Sequence, residues 1–259
     1  MNKKILGVVI LIGLIVFSFG FMKKEQEVFS SSGISFSQHR YDDKSYIDYP
    51  QLRRNYFPVS ANINKINEAL KEASQKFNPL SFVYKQGKKE WQGNFTIHSE
   101  MTYKTFQVVS VKYSGLGFLN HLESESQSFI PKHLGYGTTI SYSKGELIGW
   151  DDWLALTMDL AIVVKEKGKL LLRYESERSE AELKIDFYLN DSKEIFEYLE
   201  RLKKSEKSKY SNYYLVEDGV VFFYPVLRVQ GEYVEVFIHK DDLKPFLKKN
   251  DLFDMDKIW

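Results

Sequence analysis

The chain begins Met1-Asn2-Lys3-Lys4, runs apolar from Ile5 through Met22 with Ser18 as its polar interruption, and closes that stretch with Lys23-Lys24. As a helix, 18 residues reach about 27 Å, close to the roughly 30 Å hydrocarbon core of a bilayer. A cleaved secretory signal has a shorter apolar stretch and small residues at its cleavage site. Here Phe17, Phe19, Phe21 and Met22 stand where those small residues would be wanted. The expected segment is an uncleaved anchor, with a cleaved signal as the alternative. The short basic flank before it predicts a single pass with the C-terminal part outside. That location limits everything downstream, because the chain contains no cysteine. An exported domain without disulfides is held by its core alone, and about 235 residues are enough for that. Lack of cysteine also removes a lipoprotein anchor, a thiol nucleophile and a thiolate metal site. A bacterial cell envelope is the expected setting.

The formal net charge of +1 becomes about −3 once the four lysines flanking the apolar run are set aside (1 − 4). The outer part therefore lacks the basic excess of a nucleic-acid binder. Residues 25–39 are polar, with Ser30-Ser31-Ser32-Gly33, and read as a flexible stalk. Two halves follow, at 40–125 and 126–259. Aromatic residues make up 15% of the chain, which points to a packed interior rather than disorder.

The clearest helix runs from Ser60 to Phe77, where Ile63, Ile66, Leu70, Ala73 and Phe77 form one apolar stripe, Ser60 or Asn62 can cap, and Asn78-Pro79 stops it. Phe95 to Tyr103, Phe106 to Tyr113, Tyr136 to Tyr142 and Tyr233 to Ile238 are rich in β-formers and read as strands. Trp150 opens a helical stretch, Asp191-Ser192 opens a second amphipathic helix, and Asp241 to Lys248 reads as a short third. Residues 212–225 read as a hairpin turning at Asp218-Gly219, its aromatics belonging to a core. Strands and helices in this order predict an α+β fold with mostly antiparallel sheet and a few packed amphipathic helices.

The chemistry-bearing residues are sparse. His39, His98, His121, His133 and His239 show no helical metal-pair spacing, and no phosphate loop or serine elbow is present. No metal and no cofactor are expected. His98 and Glu100, two apart on a strand, share one face and could exchange a proton, although such pairs on amphipathic strands are commonly just solvated. Asp151-Asp152 and Asp241-Asp242 precede helical stretches and read as caps. Trp150 and Trp153, three apart on a helix, are weak candidates for stacking on a glycan, with core packing as the default. No catalytic constellation emerges.

Taken in order, Tyr49-Pro50-Gln51, Ile63-Asn-Lys-Ile-Asn67, Val108 to Tyr113, Trp150-Asp-Asp-Trp-Leu154, Tyr213 to Pro225, Gly231 and Val236 to Leu243 resemble a tandem extracytoplasmic domain family. It is the domain found in the lysozyme-sensing anti-sigma factor (RsiV-type) and beside some peptidoglycan deacetylases (PdaC-type). The resemblance covers roughly residues 40 to 248 and rests on hydrophobic and turn motifs. Tyr142-Ser143 stands where the family has an Asp in the turn. Only about four residues precede the apolar segment, so an anti-sigma part is not expected, and without the Asp-Asp-Gly motif and paired histidines of the separate deacetylase domain that activity is not expected either. The resemblance implies a non-enzymatic outer-surface module that binds lysozyme-type muramidase or peptidoglycan. The alternatives are a cell-wall hydrolase drawing an acid–base pair from His98 and Glu100, and a structural protein docking to another membrane component.

Overall fold

In the computed structural model the described residues are 33–41, 43–53, 62–76, 91–121, 130–171, 191–204, 213–225 and 233–248. Strands β1 (Ile34–Arg40) and β2 (Tyr46–Leu52) form a hairpin, followed by helix α1 (Ile63–Lys76), β3 (Trp91–Lys104), β4 (Val108–His121), β5 (Ile130–Ser141) and β6 (Glu146–Leu147). These strands make one six-stranded sheet in sequence order. Every neighbouring pair in it is antiparallel except β2 with β3, where α1 carries the chain across in a parallel connection. The fold is α+β, as the sequence predicts. Residues 34–39, expected in the stalk, are instead paired edge strand. Their polar Ser-Phe-Ser-Gln-His pattern is that of a strand with one face covered.

Helix α1 forms where its stripe predicts. Ile63, Ile66, Leu70 and Ala73 are all buried on the sheet, each burial stabilising the fold by up to about 1.5–3 kcal/mol for the larger side chains. Of the two candidate caps it is Asn62 that acts, its Oδ1 accepting from Lys65 N at 3.2 Å. Asn67 fastens the helix to β2, accepting from Leu52 N at 2.8 Å and donating to Leu52 O at 3.1 Å. Under the helix, cross-strand partners Tyr113 and Tyr136 stack with ring centroids 4.5 Å apart. Their hydroxyls donate to Leu70 O and Ser74 O, both at 3.3 Å. The Ser74 carbonyl is one of those that a helix C-terminus leaves without an internal partner.

The remaining elements are α2 (Trp150–Trp153), α3 (Met158–Lys167), β7 (Lys169–Leu171), α4 (Ser192–Lys204), β8 (Tyr213–Val216), β9 (Gly219–Pro225), β10 (Tyr233–His239) and α5 (Lys240–Leu243). The expected helix from Asp241 onward is thus one turn followed by a 3₁₀ turn at Lys244–Phe246. Its cap is His239, whose Nδ1 accepts from Asp241 N at 3.2 Å. The four strands pair antiparallel in the order β7-β10-β9-β8, and the expected hairpin is core sheet over Tyr213–Pro225. On one face Leu215, Val220, Phe222, Val236 and Ile238 pack with Trp150, Trp153, Leu160, Val164, Ile195 and Leu199. The opposite face carries Tyr214, Val221 and Phe223.

The second sheet meets the first through its edge strand β8. Leu215 N donates to Ser110 Oγ at 2.9 Å, which gives an otherwise open strand edge a partner. At Gly137 of β5 a Cβ atom would lie 2.3 Å from Tyr213 O and 2.6 Å from its carbonyl carbon. Gly137 is therefore required by this close approach. Gly137→Ala is expected to lower stability by about 1–3 kcal/mol, read from the urea midpoint, because backbone rather than a flexible side chain must yield.

Burial pushes the hydroxyl pKa of Tyr113, Tyr136, Tyr142 and Tyr213 well above the ordinary tyrosine range. A raised folded-state pKa gives stability that is complete below the unfolded value, about 10, and is lost as the pH climbs beyond it. The expected result is cooperative alkaline unfolding in which phenolate absorbance appears together with the loss of far-ultraviolet dichroism. Gradual phenolate titration in a folded chain would contradict this account.

Candidate binding face

Strands β3 and β4 alternate between two environments. Phe95, Ile97, Val111 and Tyr113 point to the α1 core. The intervening residues point the other way, toward the second sheet at one end and toward solvent at the other. Where the two sheets meet, Lys112 Nζ lies 2.8 Å from Glu235 Oε2, and Tyr214 OH donates to the same oxygen at 2.6 Å. The Glu235 side chain is only 3% exposed and that of Lys112 22%. Lys112 also sits over the Tyr214 ring, 5.5 Å from its centroid. Burial and then the Glu235 carboxylate push the Tyr214 hydroxyl far above its ordinary pKa, so it stays a donor.

Beyond this seam the sheet face lies open. Thr96 pairs with Leu116, His98 with Ser114 and Glu100 with Lys112 across β3 and β4. Tyr46 pairs with Thr96 across β2 and β3, which brings Asp48 onto the same face. His98 Nδ1 is 2.7 Å from Asp48 Oδ2, while the other oxygen, Oδ1, is buried without a hydrogen-bond partner. The Tyr46 ring packs edge-on against His98, and Arg40 lies over Tyr46 at 5.6 Å. Leu116 and Phe118 are each 41% exposed, so an apolar strip runs beside these polar groups. The bond to Asp48 engages Nδ1 and orients the imidazole on this face.

Sequence-predicted residues fare unequally. His98 and Glu100 do share a face, but the carboxylate that His98 binds is Asp48, fifty residues upstream, delivered by the parallel β2–β3 pairing. Trp150 and Trp153 cannot stack on a glycan: both are buried, and Trp153 Nε1 donates to Tyr213 OH at 3.2 Å, which in turn donates to Ile148 O at 2.7 Å. Asp152 is a cap, its Oδ2 accepting from Gly149 N at 2.8 Å. Glu235 and Lys112 were missed because a charge in an alternating strand ordinarily marks the solvated face, and here that face is covered by another sheet.

A separate shallow groove of ≈ 360 Å³ lies between α1 and the β5–β6 turn, lined by Glu68, Ala69, Glu72, Gly145 and Leu147 and bridged by Lys65 to Glu146 at 2.9 Å. Among the described residues no group of three metal-ligating side chains gathers, and no helix is long and apolar enough to cross a membrane. The apolar run at 5–22 lies outside the described residues.

Lys112→Met strands a buried carboxylate and is expected to cost about 3–5 kcal/mol in urea unfolding. Glu235→Gln is expected to cost less, because the amide oxygen still accepts from Tyr214 and Lys112 retains access to water. Equal losses would mean the seam is not electrostatically organised.

No protein-family model matches the chain, and no curated protein matches it. Among solved structures it is similar to a DUF3298-family protein from Bacteroides fragilis, with 12% identity, TM-score 0.42, and coverage of 86% of this chain and 96% of that one. It is likewise similar to a DUF3298-family protein from Pseudomonas aeruginosa, with 11% identity, TM-score 0.41, and coverage of 84% and 94%.

Proposed function

We propose that this chain is a non-enzymatic envelope protein, anchored through residues 5–22, whose outer domain binds a cell-wall-related partner: a lysozyme-type muramidase or peptidoglycan. The observation that carries the reading is the open sheet face, where exposed Leu116 and Phe118 adjoin Arg40, Tyr46 and the Asp48–His98 pair. Contiguous apolar side chains rimmed by polar ones are characteristic of interaction sites. The apolar run, the absence of cysteine and the resemblance of residues 40 to 248 to the lysozyme-sensing domain support the cell-wall assignment. Anchoring raises the effective concentration of such a face near the wall.

A second reading, a cell-wall hydrolase, is favoured by one feature, the His98 imidazole oriented by Asp48 at 2.7 Å. Calorimetry of the outer domain with a c-type lysozyme and with solubilised wall glycan separates the two readings. Binding that weakens at least about tenfold, or ~1.4 kcal/mol, in Leu116→Ser/Phe118→Ser, without turnover, supports the binding protein. Wall turnover abolished by His98→Ala supports the hydrolase. Neither binding nor turnover by a folded domain would reject both.

A further inference from the structure

The two sheets are joined by apolar packing at one end of their contact and by polar groups at the other. All six strands of the first sheet precede Ile148 and all four of the second follow Gly168, so the chain crosses between them once. At the end beside that crossing, Val108 packs with Tyr213 and Leu215 in the core that holds Trp150 and Trp153. Tyr213 OH donates to Ile148 O at 2.7 Å, and Leu215 N donates to Ser110 Oγ at 2.9 Å. At the other end, beside the open face, the contact is made by Lys112, Tyr214 and Glu235 and by Tyr233 OH, which donates to Leu134 O at 3.2 Å. The Tyr233 ring lies so close to Gly135 that a Cβ atom there would collide with it. The apolar residues on this face of the second sheet, Tyr214, Val221 and Phe223, are the smallest buried cluster among the described residues.

Lys112 has a second carboxylate within reach. Glu100 is its cross-strand partner, and such partners hold their Cβ atoms about 4.5–5.5 Å apart. Yet Glu100 is exposed and forms no ion pair among the described residues, because Lys112 turns to Glu235 instead. Burial and then Glu235 are the main causes of the raised Tyr214 pKa, and Glu100 adds to it, which sets Glu100 at the lip of the same seam. Parting the sheets at this end hydrates Glu235 and passes Lys112 to Glu100, so neither charge is left buried and alone. The same step uncovers Gly135 together with the Tyr214, Phe223 and Tyr233 rings. Gly135 pairs with Ser114, two residues along β4 from Leu116, so the uncovered surface is continuous with the open face.

We infer that this seam is a latch: the second sheet pivots about its Val108–Ser110 end and opens at its Lys112–Glu235 end, enlarging the binding face. The purpose of the latch rests on the binding reading of that face, but its opening is measured without any ligand, so the two fail separately. Because the chain has no cysteine, a single introduced thiol reports the opening. Val220 and Val221 are neighbours and both fully buried, Val220 in the core with Trp150 and Trp153 and Val221 on the seam face with Tyr214. Val220→Cys and Val221→Cys, each in the full chain, would be reacted with a thiol reagent under native conditions. The thiol at 221 is expected to react at least about tenfold faster than that at 220, because opening the seam exposes one position whereas global unfolding exposes both. Added to Val221→Cys, Glu235→Gln is expected to speed the reaction, and Glu100→Gln to slow it by removing the second partner of Lys112. A rate at 221 no greater than at 220 would overturn the latch. A rate at 221 that Glu100→Gln leaves unchanged would overturn the exchange of Lys112 between the two carboxylates, and with it the latch.

Discussion

Strand β4 is covered on both faces over its first six residues, and the rest of the molecule is arranged around that demand. Val109, Val111 and Tyr113 enter the core under α1, whereas Val108, Ser110 and Lys112 face the second sheet. A strand covered on one side needs only alternation. One covered by two different partners needs each side to match its own cover. The helix side is apolar and close-packed, and the sheet side is polar where an edge strand has to be hydrogen-bonded.

That polar side explains why the sheets meet where they do. A shift of one residue in β4 would turn Val111 or Tyr113 toward Glu235 and bury Lys112 in the α1 core. Glu235 would then be a buried carboxylate without its cation, and unpaired buried charge is strongly unfavourable. The ion pair adds little to net stability, since desolvation offsets much of its attraction. Its physical consequence is register. With β8 seated on Ser110 and Gly137, the second sheet covers only part of the long first sheet, and the uncovered remainder is the face with Asp48, His98, Leu116 and Phe118.

Much of the fold was legible locally. The stripe of α1, the stripe of α4 and the hairpin of β8 and β9 follow from periodicity and turn residues within a dozen or so positions, which is the range over which such signals act. The first hairpin was not legible, because Ser35, Ser37 and Gln38 give an edge strand the composition of a linker. Helix α3 also went unforeseen: its buried Leu160, Ala161 and Val164 are interleaved with exposed Met158 and Ile162, so no single stripe stands out. Trp150 and Trp153 were correctly set on one helical turn, but a helix of one turn cannot announce which way it faces.

The amino-acid order by itself determined the class of the molecule: an apolar N-terminal run, a cysteine-free remainder, two amphipathic helices and aromatic-rich strands that must pair to satisfy their backbones. It could not decide which carboxylate meets His98 or which strand face stays open. Those depend on contacts between residues far apart in the chain, Asp48 with His98 and Lys112 with Glu235, separated by 50 and 123 positions. Alternation assigns a side chain to one face of a strand. Only the packing of one sheet upon another decides whether that face is solvent, core or binding surface.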